Sequence, residues 1–289
     1  MKIIETGIPP HSQPMVFNED VEIRGNVGVG NHIEARGNIV IIGDVDQSKV
    51  FSHEGSITVH GLVIGYQTSL VSDGDIVVHT VRSATLRARK TITILYEAVE
   101  AHLIAKETIL CKEGKGAIVG GSAEAGLEIE TKFLGNEKGF YTTAKLTNFK
   151  QSEMFLRSQK LAEMEKKLTA EKEKYEKTIQ IIRILGEKVK QLPLAKKQEL
   201  AQQVKTYQNL SLQISQIQQE RKQLWELSQK QSELERTIII HNTIYENVSL
   251  AIDNQKLDVT SRYHNVIVYK KGILILGDFD EYMKRKKYA

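Results

Sequence analysis

Apolar residues recur through the first half of this chain at the spacing of a stacked coil. Val27, Val45, Val63, Val81 and Val99 lie 18 residues apart. A second series, Ile39, Ile57, Ile76, Ile92 and Ile109, is spaced 18, 19, 16 and 17. A third couples an aliphatic residue to a small one two places on: Ile33/Ala35, Val50/Ser52, Leu70/Ser72, Leu86/Ala88 and Leu103/Ala105. Three apolar marks per repeat, parted by Gly or polar residues, predict three short strands and three bends per coil. Runs such as Ile57-Thr58-Val59-His60 alternate, so one set of side chains faces inward and the other outward. One coil cannot bury its own apolar face; the next coil stacked on it closes the core. Gly25, Gly37, Gly43, Gly55, Gly61 and Gly74 fall at bends that need positive φ or a close backbone approach, and Lys90 and Glu107 replace this Gly later. The pattern predicts a parallel right-handed β-solenoid over residues 21–147. With strands about 4.8 Å apart, about six or seven coils would stand roughly 30 Å tall.

Residues 1–20 hold three of the four prolines, Pro9, Pro10 and Pro14, and read as an extended arm that covers the open end of the stack. From residue 148 the period becomes helical. Met154, Leu161, Leu168, Tyr175, Ile182 and Val189 fall seven apart. Met164, Leu185 and Leu192 take the complementary positions three on, and Glu171 and Thr178 interrupt that row. Pro193 separates this helix from a second, running to about residue 236. Its rows are Leu200, Tyr207, Ile214 and Leu210, Ile217, Leu224, broken by Arg221 and Gln231. Matched lengths and a short turn predict an antiparallel coiled-coil hairpin over 148–236, about 55–60 Å long at 1.5 Å per residue. It would reach well beyond the solenoid. Aliphatic residues off the seam, such as Ile179, Ile181 and Leu227, remain for a partner or a second copy. Strand pattern returns at Thr237-Ile238-Ile239-Ile240 and recurs near residues 248, 266 and 273. Residues 237–289 therefore complete or cap the solenoid, and the hairpin is an insertion. The terminal run Lys284-Arg285-Lys286-Lys287 reads first as a solvated end, with acidic lipid or a protein partner as the weaker reading.

Several function classes are disfavoured by the residues present. A net charge of +4 and 6% aromatic content give no electrostatic footprint or stacking platform for nucleic acid. The single cysteine, Cys111, rules out an internal disulfide framework and reads as a small apolar strand residue in a reducing compartment. No apolar run has the length of a signal or a membrane span, so the expected location is cytoplasmic. His60 and His79 follow Val59 and Val78 in successive coils and would stack about 5 Å apart. Without an HxH, HExxH or CxxC pattern, they and the other repeat histidines, His53 and His102, read as surface residues rather than metal ligands. Asp44, Asp46, Asp73 and Asp75 are the carboxylates that glycoside chemistry would recruit. Asp44 and Asp75 follow glycines, which makes them turn residues first. The segment Gly114-Lys115-Gly116-Ala117-Ile118-Val119-Gly120-Gly121 lacks P-loop spacing, and strand pattern comes after it at Leu127-Glu128-Ile129. It reads as a tight bend, not a phosphate loop. No catalytic residue, cofactor or metal site is expected, and the chain does not read as an enzyme.

The order of parts resembles the bacterial flagellar assembly protein A family. The resemblance rests on the repeats Ala35-Arg36-Gly37-Asn38-Ile39, Ala88-Arg89-Lys90-Thr91-Ile92 and Ala105-Lys106-Glu107-Thr108-Ile109. It also rests on Glu113 to Gly121 with Ala125 beyond, and on Leu134-Gly135 ahead of Thr142-Thr143. A long heptad hairpin and the segment Ile244 to Ile252 complete it. Two departures stand out: members carry a separate N-terminal domain, whereas this sequence opens almost at the solenoid, and many have Pro-Gly at Glu246-Asn247. The resemblance implies a cytosolic protein tied to flagellar assembly or motility control, with no established enzymatic activity. The expectation is a scaffold that meets protein partners, or another copy of itself, through its coiled coil or solenoid face. The alternative is a self-assembling β-helical cytoskeletal, bactofilin-like polymer that grows through unpaired terminal strands. A carbohydrate-active β-helix ranks below both.

Overall fold

The computed structural model describes residues 1–232 and 234–287. The chain divides into two compact units: residues 1–149 with 234–289, and residues 150–233.

The first unit is a parallel β-solenoid closed by antiparallel strands. Its first face stacks Ile39, Ile57, Ile76, Ile92 and Ile109 in direct backbone register, then continues through Ile129 and Ile238. All seven are fully buried. The third face stacks Ile33/Ala35, Val50/Ser52, Leu70/Ser72, Leu86/Ala88 and Leu103/Ala105 in the same way. Branched side chains in register fill the space between faces, and each coil is the lid of the one beneath.

The second face differs from expectation by one residue. Val27, Val45, Val63 and Val81 align, but the next position is Ala98, while Val99 pairs with Arg82. The column continues through Ile118, Leu134 and Ile244. The shift has a local cause. The bend between Val81 and Leu86 is two residues shorter than that between Val63 and Leu70. Backbone pairing, not residue count, sets which side chain points inward.

Nor are the three strands always separate. In the coils that start at Ile57, Ile76 and Ile92, the first and second marks share one strand: Ile57–Ile64, Ile76–Arg82 and Ile92–Val99. These strands bend where the register shifts between Val78 and Thr80. Among the described residues the first two faces therefore form one 13-stranded sheet, and the third a sheet of 10 strands.

Residues 1–20 are not an extended arm. Lys2–Ile4 and Met15–Phe17 pair in parallel with Val21–Ile23 and His32–Ala35, and Ile8 joins the second-face column above Val27. They form a further coil, with Pro9, Pro10 and Pro14 between its strands. With the coil added by Thr237–Ile244 and Val248–Ile252, the stack exceeds the expected six or seven.

The bends carry their own hydrogen bonds. Ahead of the first face, the Asp20 carboxylate accepts from the Asn38 N–H at 2.7 Å, the Asn38 side-chain oxygen from Ser56 at 2.9 Å, the Ser56 hydroxyl oxygen from Asp75 at 3.0 Å, and the Asp75 carboxylate from Thr91 at 3.0 Å. At the same bend a Cβ on Gly55 would lie 2.5 Å from the Gly37 carbonyl carbon, so close approach excludes a side chain there. Past the second face, successive coils use a left-handed residue. Gly65 and Gly120 supply it without strain, whereas Gln47, Ser83 and Glu100 adopt it with a side chain.

The helical unit is inserted in the bend from third face to first. In that bend three residues separate Ala88 from Ile92, Ala105 from Ile109 and Ala125 from Ile129. The corresponding step here runs from Leu146 to Ile238. Beyond the returning coil, Gln255–Val259, Tyr263–Lys271 and Ile273–Asp278 pair antiparallel and close both sheets. A helix, α3 (Phe279–Lys287), ends the described chain. Two longer helices precede it in the chain, α1 (Phe149–Leu185) and α2 (Leu194–Ser232), joined by a 3-10 segment, Gly186–Gln191.

α1 and α2 run antiparallel. Arg157 pairs with Glu220, Glu165 bonds Gln218 and Arg221, and Lys172 lies over the Tyr207 ring. Leu161, Leu210, Ile214 and Ile217 are buried between them. α2 turns its expected rows inward, and Arg221 sits on the seam as the partner of Glu165. On α1 the complementary row differs: Met164 is 51% exposed, and Glu165, one residue on, faces the seam. The Gln231 side chain lies outside the described residues. α2 stops short of residue 236. Arg236 belongs to the solenoid unit, where it binds the Asp253 carboxylate through two bonds of 2.6 and 2.7 Å. Among the described residues no helix is long and apolar enough to cross a membrane.

Candidate functional site

Outward-facing residues on the second face fall into two rows. One runs Thr80, Glu97, Ala117, Phe133; the other runs Arg82, Val99, Val119. Where a coil carries small side chains in these rows and its neighbours carry large ones, a channel opens along the stack. The floor here is Val99, Ala117, Val119 and Gly135, and the cleft has a volume of about 500 Å³. Gly135, at φ +79°, has no room for a side chain: a Cβ would lie 2.8 Å from a Val248 methyl. One wall is the loop from Asn136 to Phe140. It is tied down by Asn247, whose amide donates to the Gly139 carbonyl at 3.3 Å, and by Arg262, which pairs with Glu137 at 3.0 Å and Glu246 at 3.5 Å.

One end of the cleft is charged. Glu97 is 5% exposed, and its two carboxylate oxygens are taken by Arg82 at 3.2 Å and Lys115 at 2.5 Å. Burial pushes the Glu97 carboxyl up. The Lys115 ammonium and Arg82 guanidinium more than offset this and hold it below the usual carboxylate range. The other end is aromatic, with Phe133, Phe140 and Tyr245 on the lining and Arg262 stacked on the Tyr245 ring at 5.2 Å. Eight of the twelve lining residues come from the three segments 113–121, 134–143 and 244–252, the last of them distant in the chain from the other two. The Gly-rich segment is thus a strand, Ala117–Val119, flanked by bends, and what it delivers to the surface is Lys115.

The other residues singled out in the sequence do not converge. Asp44 accepts from the Leu62 N–H at 2.7 Å, and Asp75 belongs to the ladder ahead of the first face, so the two serve different bends. Asp73 pairs with Arg89, and Asp46 lies in the short strand Val45–Asp46. His79 does not stack on His60. The register shift beside it turns its ring onto Tyr96 of the next coil, at 5.7 Å between centroids and 4° between planes. His53 binds Glu34, and His102 binds Ser122. Among the described residues no group of three or more His, Cys, Asp or Glu could hold a metal ion. Cys111 is buried, and burial, with the Glu97 charge, pushes its thiol up to about 12, far from a reactive thiolate. The basic run is the last turn of α3. That helix is anchored by Phe279 against His241 and by Tyr282 on Tyr269 and Glu235, and Arg285 and Lys286 pair with Glu281 and Glu235.

The Arg82–Glu97–Lys115 cluster was not recognised in the sequence, although a signal existed. Glu97 lies 15 residues after Arg82 and 18 before Lys115, close to the coil period, so adjacent coils bring the three together.

Set against known protein families, residues 15–275 match the model described as the flagellar assembly protein A beta-solenoid domain. No curated protein and no solved structure matches.

Proposed function

The chain belongs to the flagellar assembly protein A family, whose β-solenoid domain spans residues 15–275, and we propose on that premise that it is a non-enzymatic cytoplasmic scaffold that serves flagellar assembly or motility control through protein contacts. The insertion of the helical hairpin into one bend of an otherwise continuous solenoid carries this reading. The parallel register crosses the insertion undisturbed, with Ile129 paired to Ile238. The 84 residues of the second unit are not needed to align the core, so their retention points to a role outside folding. Their exposed large side chains, Phe155 at 62% and Trp225 at 63% among them, supply the residue types that dominate protein interfaces. Deleting the gene in its native host should reduce flagellation or swimming. The full chain should restore it, and a chain with the hairpin replaced by a short bend should not. Unchanged flagella and swimming on deletion would overturn the reading.

A further inference from the structure

We propose that the cleft on the second face binds a phosphate ester that carries a planar ring, the chemistry of a nucleoside monophosphate. This goes beyond the scaffold reading and does not depend on it. Arg82 and Lys115 line the cleft with side chains 53% and 52% exposed, so each keeps donors that Glu97 does not use. One carboxylate between two cations leaves a net positive charge. Lys138, exposed on the wall loop, adds a second, and no partner takes it up among the described residues. A guanidinium beside an ammonium, held in place by a shared buried acid, suits the oxygens of a phosphate.

The ring site is set by the register. Glu97 pairs with Ala117, and Ala117 with Phe133. Two strand spacings place the aromatic end about 10 Å from the charged end. Phe133, Phe140 and Tyr245 line that end, and Phe140 is 44% exposed. The small residues between the ends leave room for a linking group of sugar size, and the volume of about 500 Å³ falls within the roughly 300–1,000 Å³ of small-molecule sites. The bonds from Asn247 and Arg262 fix the wall in advance, which lowers the ordering cost of binding.

The test is a titration of the full chain with AMP, phenyl phosphate, adenosine and inorganic phosphate, monitored by calorimetry and amide NMR. AMP should bind saturably and shift the amides of Val99, Val119 and Gly135. Adenosine and inorganic phosphate should each bind more weakly by at least about tenfold. Saturable phenyl phosphate binding at the same amides also supports the class. Lys115→Gln, Arg82→Gln and Phe140→Ala should each weaken AMP by about tenfold. Lys112→Gln, outside the cleft, should not. Melting curves identify any variant that fails to fold, and Lys138→Gln, on the exposed wall loop, should then replace it. Three results would overturn the proposal: no saturable binding of either phosphate ester at millimolar concentration, inorganic phosphate binding as tightly as AMP, or an equal loss with Lys112→Gln. None of these readouts involves motility, so failure here and failure of the scaffold reading are separable.

Discussion

Single side chains in the solenoid have one of two duties, filling the core or closing a bend. Ile57 does the first: it is fully buried, with Ile39 before it and Ile76 after it in the first-face column. Ile57→Ala should cost roughly 2–5 kcal/mol, read from urea unfolding. Glu97 is a third case, a charge kept below the surface by two cations. Its carboxyl titrates below the ordinary range in the folded chain. Its stabilising contribution is therefore complete above the unfolded value of about 4.3 and is lost as pH falls through the lower folded value. Glu97→Gln should destabilise the chain by about 1–2 kcal/mol near neutrality. The difference from wild type should shrink on acidification below about pH 4, measured as urea midpoints across that window. A gap that stays constant with pH would show that the ion pairs contribute nothing. Isoleucine spacing made the first duty legible in the sequence. The acid was missed because a buried carboxylate is legible only with its partners, and those sit one coil away on either side.

At the scale of the element, heptad reading succeeded on α2 and failed at one position of α1, Met164. Both Met164 and Glu165 lie near the seam, and apolar preference selects Met164. The structure places Glu165 there because Gln218 and Arg221 on α2 receive it, at 2.7 and 2.5 Å. Hydrogen-bonded polar seams leave no apolar trace in a sequence. The difference is testable. Leu161→Ala should lower the thermal midpoint of the helical signal at 222 nm, with a cost of about 2–4 kcal/mol. Met164→Ala should stay within about 0.5 kcal/mol, as exposed substitutions do. Equal losses would restore Met164 to the seam. The second-face column failed for a related reason. Val99 matched a fixed period of 18, but the short bend after Val81 moved Ala98 into the column. From Ile39 to Ile109 on the first face and from Ile33 to Ala105 on the third, the expected residues align, because their intervals could drift without changing which residue type came next.

At the scale of the molecule, the solenoid's C-terminal end is closed. Gln255–Val259 and Tyr263–Lys271 turn antiparallel, and Ile273–Asp278 turns back again, so the edge strands of the two sheets run in opposite directions and a further parallel coil cannot match both. Electron microscopy at rising concentration should show no end-to-end filaments; long unbranched polymers would favour the cytoskeletal alternative. The inserted unit gives the sharper test. Joining Leu146 to Ile238 through the three residues that separate Ala105 from Ile109 should yield a chain that still melts cooperatively with a β-type spectrum. A chain that aggregates or fails to fold would mean that α1 and α2 take part in building the solenoid. The returning coil was legible from its strand pattern. The first coil was not, because prolines between short strands look the same as prolines in an arm. A stack aligned by hydrogen bonds instead of by counting has a tolerance that evolution can exploit. Any corner can lengthen, shorten or accept foreign chain while the wall on either side stays as it was. Such a protein can gain a new attachment without redesigning its interior, and the corner after Leu146 is where this one has done so.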